Sequence, residues 1–135
     1  MNRITIYTDG AARGNPGPAG AGAILTDEDG RVIVEVCRYL GEMTNNQAEY
    51  RALLLAIEEA KRIGATNVVI FSDSELVVKQ IKGDYRVKNE GIKPLHEKIL
   101  KLLQEIGEYT IDHVLRENNK HADRLANLAI DGKIE

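Results

Sequence analysis

The hydrophobic pattern changes from a two-residue period to a helical period near Thr44, and this change constrains the fold most. Before Thr44, three apolar or β-branched segments are separated by turn-forming residues. This pattern predicts three consecutive strands joined as an antiparallel meander. The predicted strands cover residues 3–9, 19–26 and 31–40. After Thr44, helical periods alternate with short apolar segments, which is typical of helices connected to parallel strands.

The second part of the chain predicts four helices and two strands. Thr44 and Gln47 match a capping box, so the first helix begins there and runs to about Ile63, before Gly64. The other predicted elements are a strand at 67–72, helices at 73–81 and from 94 to near 107, a strand at 109–115 and a helix at 120–130. The order βββαβααβα indicates an α/β fold whose later strands lie parallel to the first.

Length and composition favour one soluble domain over residues 1–135, because hydrophobic residues make up 43% and charged residues 29%. The single cysteine, Cys37, excludes an intramolecular disulfide, and its apolar neighbours predict a buried, reduced thiol. No apolar run approaches the roughly 20 residues of a membrane helix, and the first strand leaves no room for a signal peptide. We therefore expect a cytoplasmic monomer without a membrane partner.

The charge distribution leaves two interpretations open. The net charge of −3 argues against a protein that binds nucleic acid by charge alone. Between positions 79 and 101, however, seven basic residues are interrupted by only three acidic ones. A solvated face is the simpler interpretation of such a run, and one side of a nucleic-acid groove is the other. The basic residues are Lys79, Lys82, Arg86, Lys88, Lys93, Lys98 and Lys101.

Three acidic residues follow predicted parallel strands. Asp9 ends the first strand, Asp73 follows the fourth, and Asp123 comes soon after the fifth. Ligands of such sheets bind outside the carboxyl ends of the parallel strands, so we expect these carboxylates to project from one edge. Asp73 and Asp123 are each also explained as first-turn acids that favour a helix N-terminus.

Glu49 is a fourth candidate because it begins the apolar stripe of the first predicted helix. The stripe continues through Ala52, Leu53, Ala56, Ile57 and Ala60. A carboxylate at its start points toward the core, which is costly unless a cation compensates its charge. The alternative is a frayed first-turn Glu that favours the helix dipole. Together, four acids at one edge would require a cation, and oxygen ligands select Mg²⁺ or Mn²⁺ rather than zinc.

Four segments of the sequence resemble type 1 ribonuclease H. They are residues 7–11 with Gly14-Asn15-Pro16-Gly17, then 44–49, then 73–75, then 116–118 with 121–123. The resemblance implies a ribonuclease H-like five-stranded mixed sheet of order 3-2-1-4-5, with the first three strands antiparallel and helices on both faces. It also implies endonucleolytic hydrolysis of the RNA strand of RNA/DNA hybrids with low sequence specificity, leaving 5′-phosphate and 3′-hydroxyl ends.

The resemblance also implies the site residues. Asp9, Glu49, Asp73 and Asp123 match the family's catalytic, metal-binding carboxylates, which hold two Mg²⁺ ions, or Mn²⁺, with substrate. The positions that match substrate-binding residues are Gly10, Asn15, Thr44, Asn45, Asn46 and Ser74. A pair of divalent ions suits in-line displacement at phosphorus, and such sites need carboxylates without a protein nucleophile.

The chain departs from many bacterial members in ways that resemble a compact subgroup of archaea, some bacteria and plants. It lacks a Trp-containing basic protrusion, and Glu75 stands where some relatives have Gln. The loop before the last carboxylate lacks the usual mobile His. We interpret His121 as a surface or supporting residue and expect Arg116 or Glu117 to assist catalysis instead.

Other functions remain as alternatives. One is a hybrid- or duplex-binding module with weak turnover, and another is a hybrid nuclease that also cuts RNA/RNA duplexes. A transposase or resolvase relative is disfavoured by the absence of added DNA-binding segments. An NTPase is disfavoured because the Gly-rich turn at 14–17 lacks the Gly-Lys-Ser/Thr ending of a phosphate-binding loop.

Overall fold

Five strands and four α-helices follow one another in the predicted order, in a computed structural model that describes residues 3–133. The elements are β1 (Arg3–Ala12), β2 (Gly17–Thr26), β3 (Val32–Met43), α1 (Asn45–Arg62), β4 (Asn67–Ser72), α2 (Glu75–Lys82), α3 (Lys93–Ile106), β5 (Glu108–His113) and α4 (Lys120–Gly132). A short 3₁₀ turn, Arg116–Asn118, precedes α4.

The strands form one mixed sheet of order β3-β2-β1-β4-β5, which confirms the expected topology. The central strand, β1, pairs antiparallel with β2 and parallel with β4. The parallel pairing of β1 with β4 ends at Thr8 and Ser72, and β5 lies parallel to β4 on its other side. The sheet therefore changes from antiparallel to parallel pairing at β1, and the parallel pairing ends next to Asp9.

Helices cover both faces of the sheet. On one face, α1 packs on β1, β2 and β3, and α2 and α3 lie beside it toward β5. The stripe predicted for α1 is buried as expected, with Leu53 and Ile57 packed in the same core as Ile4 and Ile6 of β1. On the other face, α4 packs on β2, β3 and β1. None of the helices within residues 3–133 has the length and apolar character needed to cross a membrane.

Two predicted boundaries near the acidic residues are corrected. β1 continues past Asp9 to Ala12, because residues 9–12 keep antiparallel partners at 19–22 of β2 after the parallel pairing has ended. α2 begins at Glu75 rather than at Asp73, because the Ser74 side chain accepts a hydrogen bond from the N–H of Val77 and caps the helix. Asp73 therefore lies in the connection between β4 and α2.

Smaller differences concern β3, β5 and Cys37. β3 extends to Met43 through an irregularity near Gly41, and β5 ends at His113 rather than at residue 115. Cys37 is free but only half-buried, so the expectation of a buried thiol is wrong. Its thiol donates to the Leu125 carbonyl of α4 at 3.2 Å, which partly shields the group.

Candidate metal centre

The close approach of α1 to β1 brings Glu49 to the end of the sheet. A Cβ atom on Gly10 would lie 2.2 Å from the backbone carbon and oxygen of Ala48, so only glycine permits this contact. The Gly10 N–H donates to Glu49 Oε1 at 2.8 Å. The absence of a side chain at Gly10 therefore allows the carboxylate to reach β1 beside Asp9.

Two further glycines, on β2, let α4 lie directly on that strand. A Cβ atom on Gly22 would lie 2.1 Å from the Ala122 carbonyl oxygen, and one on Gly20 would lie 2.3 Å from that of Ala126. Gly22 is also the antiparallel partner of Asp9. Asp123, the residue after Ala122, is therefore brought to the level of Asp9 from the opposite face of the sheet.

Three carboxylates meet at the end of the parallel strands. Asp9, Glu49 and Asp73 each offer one oxygen, and these oxygens lie within 4.8 Å of one another. Asp9 and Glu49 are only 4% and 7% exposed, and Asp73 is half-buried. Asp123 is not part of this trio, although its carboxyl group lies close enough to Asp9 to interact with it. Residues far apart in the sequence thus form one cluster with a fourth carboxylate beside it.

Burial and mutual repulsion make the charged forms of the two innermost carboxylates unfavourable. Burial raises the pKa of Asp9 far above its ordinary value, and the charges of Glu49 and Asp73 raise it further. Burial also raises the pKa of Glu49, while the Gly10 hydrogen bond and the charge of Arg116 oppose that rise. The direction for both groups is upward, as expected for acids packed together without a cation.

The chemistry of the donors fits a hard divalent cation. None of the four carboxylates forms an ion pair with a Lys, Arg or His side chain within residues 3–133. The cluster offers oxygen atoms only, and oxygen ligands suit Mg²⁺ and Mn²⁺. A cation here would reduce the repulsion between the carboxylates, which the charge of Arg116 offsets only in part at Glu49.

Asn119 also belongs to this site, although it was not among the residues predicted from the sequence. Its side chain is buried, and its Nδ2 donates both to the Thr8 carbonyl at 2.9 Å and to Asp73 Oδ2 at 3.2 Å. It occupies the N-cap position of α4, where sequence alone predicts at most a capping role. No local pattern indicates an inward orientation, because its two acceptors come from β1 and the loop after β4.

Four of the predicted substrate-binding residues lie near the N-terminus of α1. Asn15 Oδ1 accepts from the backbone N–H of Asn45 at 3.0 Å, which joins the Gly-rich turn to the helix. Asn15 and Asn45 are exposed and Asn46 is half-exposed. Thr44 forms the predicted capping box with Gln47, so its hydroxyl already serves the helix. These residues form one surface beside the carboxylates.

The remaining site candidates divide between buried and exposed positions. Gly10 is buried with its N–H bonded to Glu49, so it does not offer a free amide to a ligand in this structure. Ser74 is the N-cap of α2 and is half-buried next to Asp73. Arg116 and Glu117 are exposed in the 3₁₀ turn, and the charge of Arg116 reaches Glu49. His121 faces away, with its Nε2 2.7 Å from Glu35 Oε2.

The basic run between positions 79 and 101 is largely neutralised. Ion pairs join Lys79 to Glu75, Lys82 to Asp112, Lys93 to Glu90, and Lys98 to Glu58. Arg86, Lys88 and Lys101 form no ion pair within residues 3–133 and are exposed. Only part of the run therefore offers uncompensated charge to a polyanion.

The chain is similar in sequence to known proteins over nearly all of its length. Residues 7–129 match the family described as reverse transcriptase-like. The chain is 40% identical over 129 residues to ribonuclease HI of Halobacterium salinarum, an alignment covering 96% of this chain and 65% of that protein. Bifunctional and uncharacterized mycobacterial proteins match at 39% identity over 36% of their length. The chain thus spans less than two thirds of these curated relatives.

Solved structures show the same fold over nearly the whole chain. The crystal structure of RNase H1 from Halobacterium salinarum superposes with a TM-score of 0.94 at 40% identity, covering 97% of this chain and 99% of that one. LC11-RNase H1 in complex with an RNA/DNA hybrid superposes with a TM-score of 0.92 at 44% identity, covering 96% of this chain and 98% of that one.

Proposed function

The chain belongs to the type 1 ribonuclease H family, and on this basis we propose that it is a metal-dependent endonuclease that hydrolyses the RNA strand of RNA/DNA hybrids. The convergence of Asp9, Glu49 and Asp73 carries the proposal, because three carboxylates that form no ion pair within residues 3–133 offer closely spaced oxygen ligands to a divalent cation. Mg²⁺ is the proposed ion, and Mn²⁺ is the proposed substitute.

The protein's contribution to the reaction is to hold charge and position. Asp9, Glu49, Asp73 and Asp123 would bind two divalent ions once a hybrid supplies phosphate oxygens. Such ions supply an activated water and stabilise the leaving oxygen of an in-line displacement at phosphorus. The close approach of Gly10 to α1 and its hydrogen bond to Glu49 hold that carboxylate beside Asp9, so it should need little reorganisation during the reaction. The expected products carry 5′-phosphate and 3′-hydroxyl ends.

The surface beside the carboxylates supports a hybrid as the substrate. The amides of Asn15, Asn45 and Asn46 lie at the N-terminus of α1, where backbone and helix dipole favour anions. Amides can bond 2′-hydroxyl groups and base edges in a shallow minor groove, which favours recognition by shape. The similar LC11-RNase H1 was solved in complex with an RNA/DNA hybrid. We expect low sequence specificity, with Thr44 and Ser74 near the backbone of the substrate.

Arg116 is the proposed assistant of the reaction because its charge reaches Glu49 from the exposed 3₁₀ turn. Glu117, its neighbour in the turn, is the second candidate. Replacing Arg116 and Glu117 by Ala in separate variants distinguishes between the two candidates. The variant with the larger fall in kcat identifies the assisting side chain, while equal kcat values for both variants and the parent would contradict the proposal.

Duplex cleavage tests the function directly. Labelled RNA/DNA, RNA/RNA and DNA/DNA duplexes are incubated with the protein and Mg²⁺, Mn²⁺ or a chelator. We expect cleavage of the RNA strand of the hybrid, only with metal, and its loss in Asp9→Asn with the fold retained by circular dichroism. Hybrid binding without cleavage would instead indicate the weak-turnover alternative, and cleavage of RNA/RNA would indicate the broader one. A monomer is expected by size-exclusion chromatography.

A further inference from the structure

The side chain of Asn119 has an orientation that its place in the helix does not explain. Asn at an N-cap normally accepts hydrogen bonds from the first amides of its own helix. At the start of α4 the Asn119 side chain makes no such bond. It turns inward instead, is 2% exposed, and bonds to two other parts of the fold. Capping therefore does not account for an asparagine here.

The two acceptors fix which way the amide faces. Nδ2 donates to the Thr8 carbonyl at 2.9 Å and to Asp73 Oδ2 at 3.2 Å. A flipped amide would place its own oxygen against both of these oxygens, which is repulsive. In the observed orientation, Asn119 Oδ1 is buried without a hydrogen-bond partner within residues 3–133. A buried polar atom without a partner is unfavourable, so the two donated bonds determine the arrangement.

These bonds join three elements at the carboxylate cluster. Thr8 immediately precedes Asp9 on β1, and Asp73 follows β4. Asn119 begins α4, and its carbonyl accepts the backbone N–H of Asp123 in the first turn. The side chain of Asn119 thus connects the segments that carry Asp9, Asp73 and Asp123. Within residues 3–133 the other oxygen of Asp73 accepts no hydrogen bond, so it is available to a cation.

We propose that Asn119 is a positioning residue that holds Asp73 in the orientation required to bind a divalent ion. This inference rests on the proposed metal-dependent function, but it concerns affinity for the metal rather than the reaction. Hydrogen bonds to ligating carboxylates typically contribute a factor of about 10 to 100 in metal affinity. Asn119 is 2% exposed and its side chain donates a hydrogen bond directly to Asp73, so its amide is the group expected to make this contribution.

Mn²⁺ binding without nucleic acid tests the inference. Free Mn²⁺ is measured by electron paramagnetic resonance for the parent protein, Asn119→Ala and Asn119→Leu, at a temperature where circular dichroism shows each protein folded. Both variants remove the donors, and the leucine variant nearly retains the volume. We expect Mn²⁺ affinity to fall about 10-fold in each. Asn118→Ala, at the exposed neighbouring position, is the matched control and should bind like the parent.

The parent protein provides a second measurement that does not depend on the folding of a variant. The Asn119 side-chain amide resonances should shift as Mg²⁺ is added, following the same saturation curve as the metal. Unchanged resonances, unchanged Mn²⁺ affinity in folded variants, or no metal uptake by the parent would overturn the inference. Hybrid cleavage is assayed separately, so a protein that binds metal through Asn119 but does not cut hybrids would contradict only the proposed function.

Discussion

At the scale of single residues, the site places carboxylates where little solvent reaches them. Asp9 and Glu49 are nearly inaccessible to solvent, and burial raises the pKa of each. Their arrangement is therefore costly to the folded protein when no cation is bound. A cation that binds only the folded state recovers this free energy and stabilises the fold.

Replacement of Asp9 by Asn should stabilise the protein in chelator. The unfolded chain releases the Asp9 proton near its ordinary pKa of 3.8, whereas the folded chain keeps the proton to a much higher pH. The free energy of unfolding of the parent therefore falls as the pH rises from about 5 toward the raised folded pKa. Thermal melts should show Asp9→Asn more stable by on the order of 1–3 kcal/mol at pH 8, with a smaller difference at pH 5.

The comparison needs a variant with the same change of charge elsewhere. Asp29→Asn, in the exposed β2–β3 turn, should leave the free energy of unfolding nearly unchanged. Addition of Mg²⁺ should stabilise the parent and Asp29→Asn but not Asp9→Asn. Equal melting temperatures for the parent and Asp9→Asn at pH 8 in chelator would show that the Asp9 carboxylate does not destabilise the folded protein.

At the scale of elements, two helices are placed by contacts with glycine. α1 lies against Gly10, and α4 lies against Gly20 and Gly22. These contacts are between backbones, so they limit how far each helix lies above the sheet. Glu49 and Asp123 are carried to the site by the same two helices.

Gly22→Ala should displace α4 and impair the site. The new Cβ would lie 2.1 Å from the Ala122 carbonyl oxygen, so the helix must move outward and take Asp123 with it. Overpacking of this kind typically costs about 1–3 kcal/mol. We expect a lower melting temperature and a fall in kcat larger than the change in KM. In Gly91→Ala, the new Cβ would meet only side-chain atoms of Asn89 and Gln47 at 3.2 Å. The melting temperature and kcat of this variant should therefore remain near those of the parent.

The cap of α1 gives a second prediction at this scale. Thr44→Ala removes the hydroxyl that accepts from the Gln47 N–H and should cost about 1 kcal/mol of stability in denaturant unfolding. Thr44→Ser keeps the hydroxyl and should retain most of that stability. Hybrid affinity is measured on both variants under conditions where they are folded. A loss in Thr44→Ala alone would support a contact between this hydroxyl and substrate.

At the scale of the whole molecule, charge is distributed so that little of the surface is strongly basic. The net charge is −3, and four of the seven basic residues between 79 and 101 have acidic partners. Affinity for a hybrid should therefore depend on a few uncompensated side chains together with the polar surface of α1. Arg86 and Lys88, in the connection between α2 and α3, are the first candidates.

The salt dependence of hybrid binding measures this contribution. In Arg86→Ala with Lys88→Ala, the slope of log K against log salt should decrease by about one unit for each lost phosphate contact. Binding should weaken uniformly across hybrid sequences, because phosphate contacts carry no sequence information. Lys82→Ala, whose lysine is paired with Asp112, serves as the comparison and should change the slope less. Identical slopes for all three proteins would place substrate on another surface.

Local sequence patterns predicted most of the fold because they act over a few residues. The Thr44 cap and the stripe led by Glu49 were both predicted from spacing alone and are confirmed. The extension of β1 beyond Asp9 was missed because its pairing with β2 outweighs the turn-forming character of Gly10. The helix predicted to begin at residue 73 begins at Glu75, since the hydroxyl of Ser74 caps it.

The candidate site was predictable only in part, because local patterns do not indicate contacts between distant residues. The carboxylates occupy the ends of recognisable elements, so topology alone brings Asp9 and Asp73 together. Asn119 is different, because its orientation depends on acceptors that only the folded chain places beside it. The half-exposure of Cys37 likewise depends on how closely α4 covers β3.

The dependence of the site on α4 has a consequence for synthesis of the protein. A ribosome that has translated the chain through Ser74 has already made Asp9, Glu49 and Asp73. Asn119 and Asp123 are still to be added, together with the helix that rests on Gly22. The nascent polypeptide at this stage therefore contains Asp9, Glu49 and Asp73 but lacks Asn119 and α4, which position them in the folded protein. The proposed nuclease activity should begin only after α4 has been synthesised and has docked on the sheet.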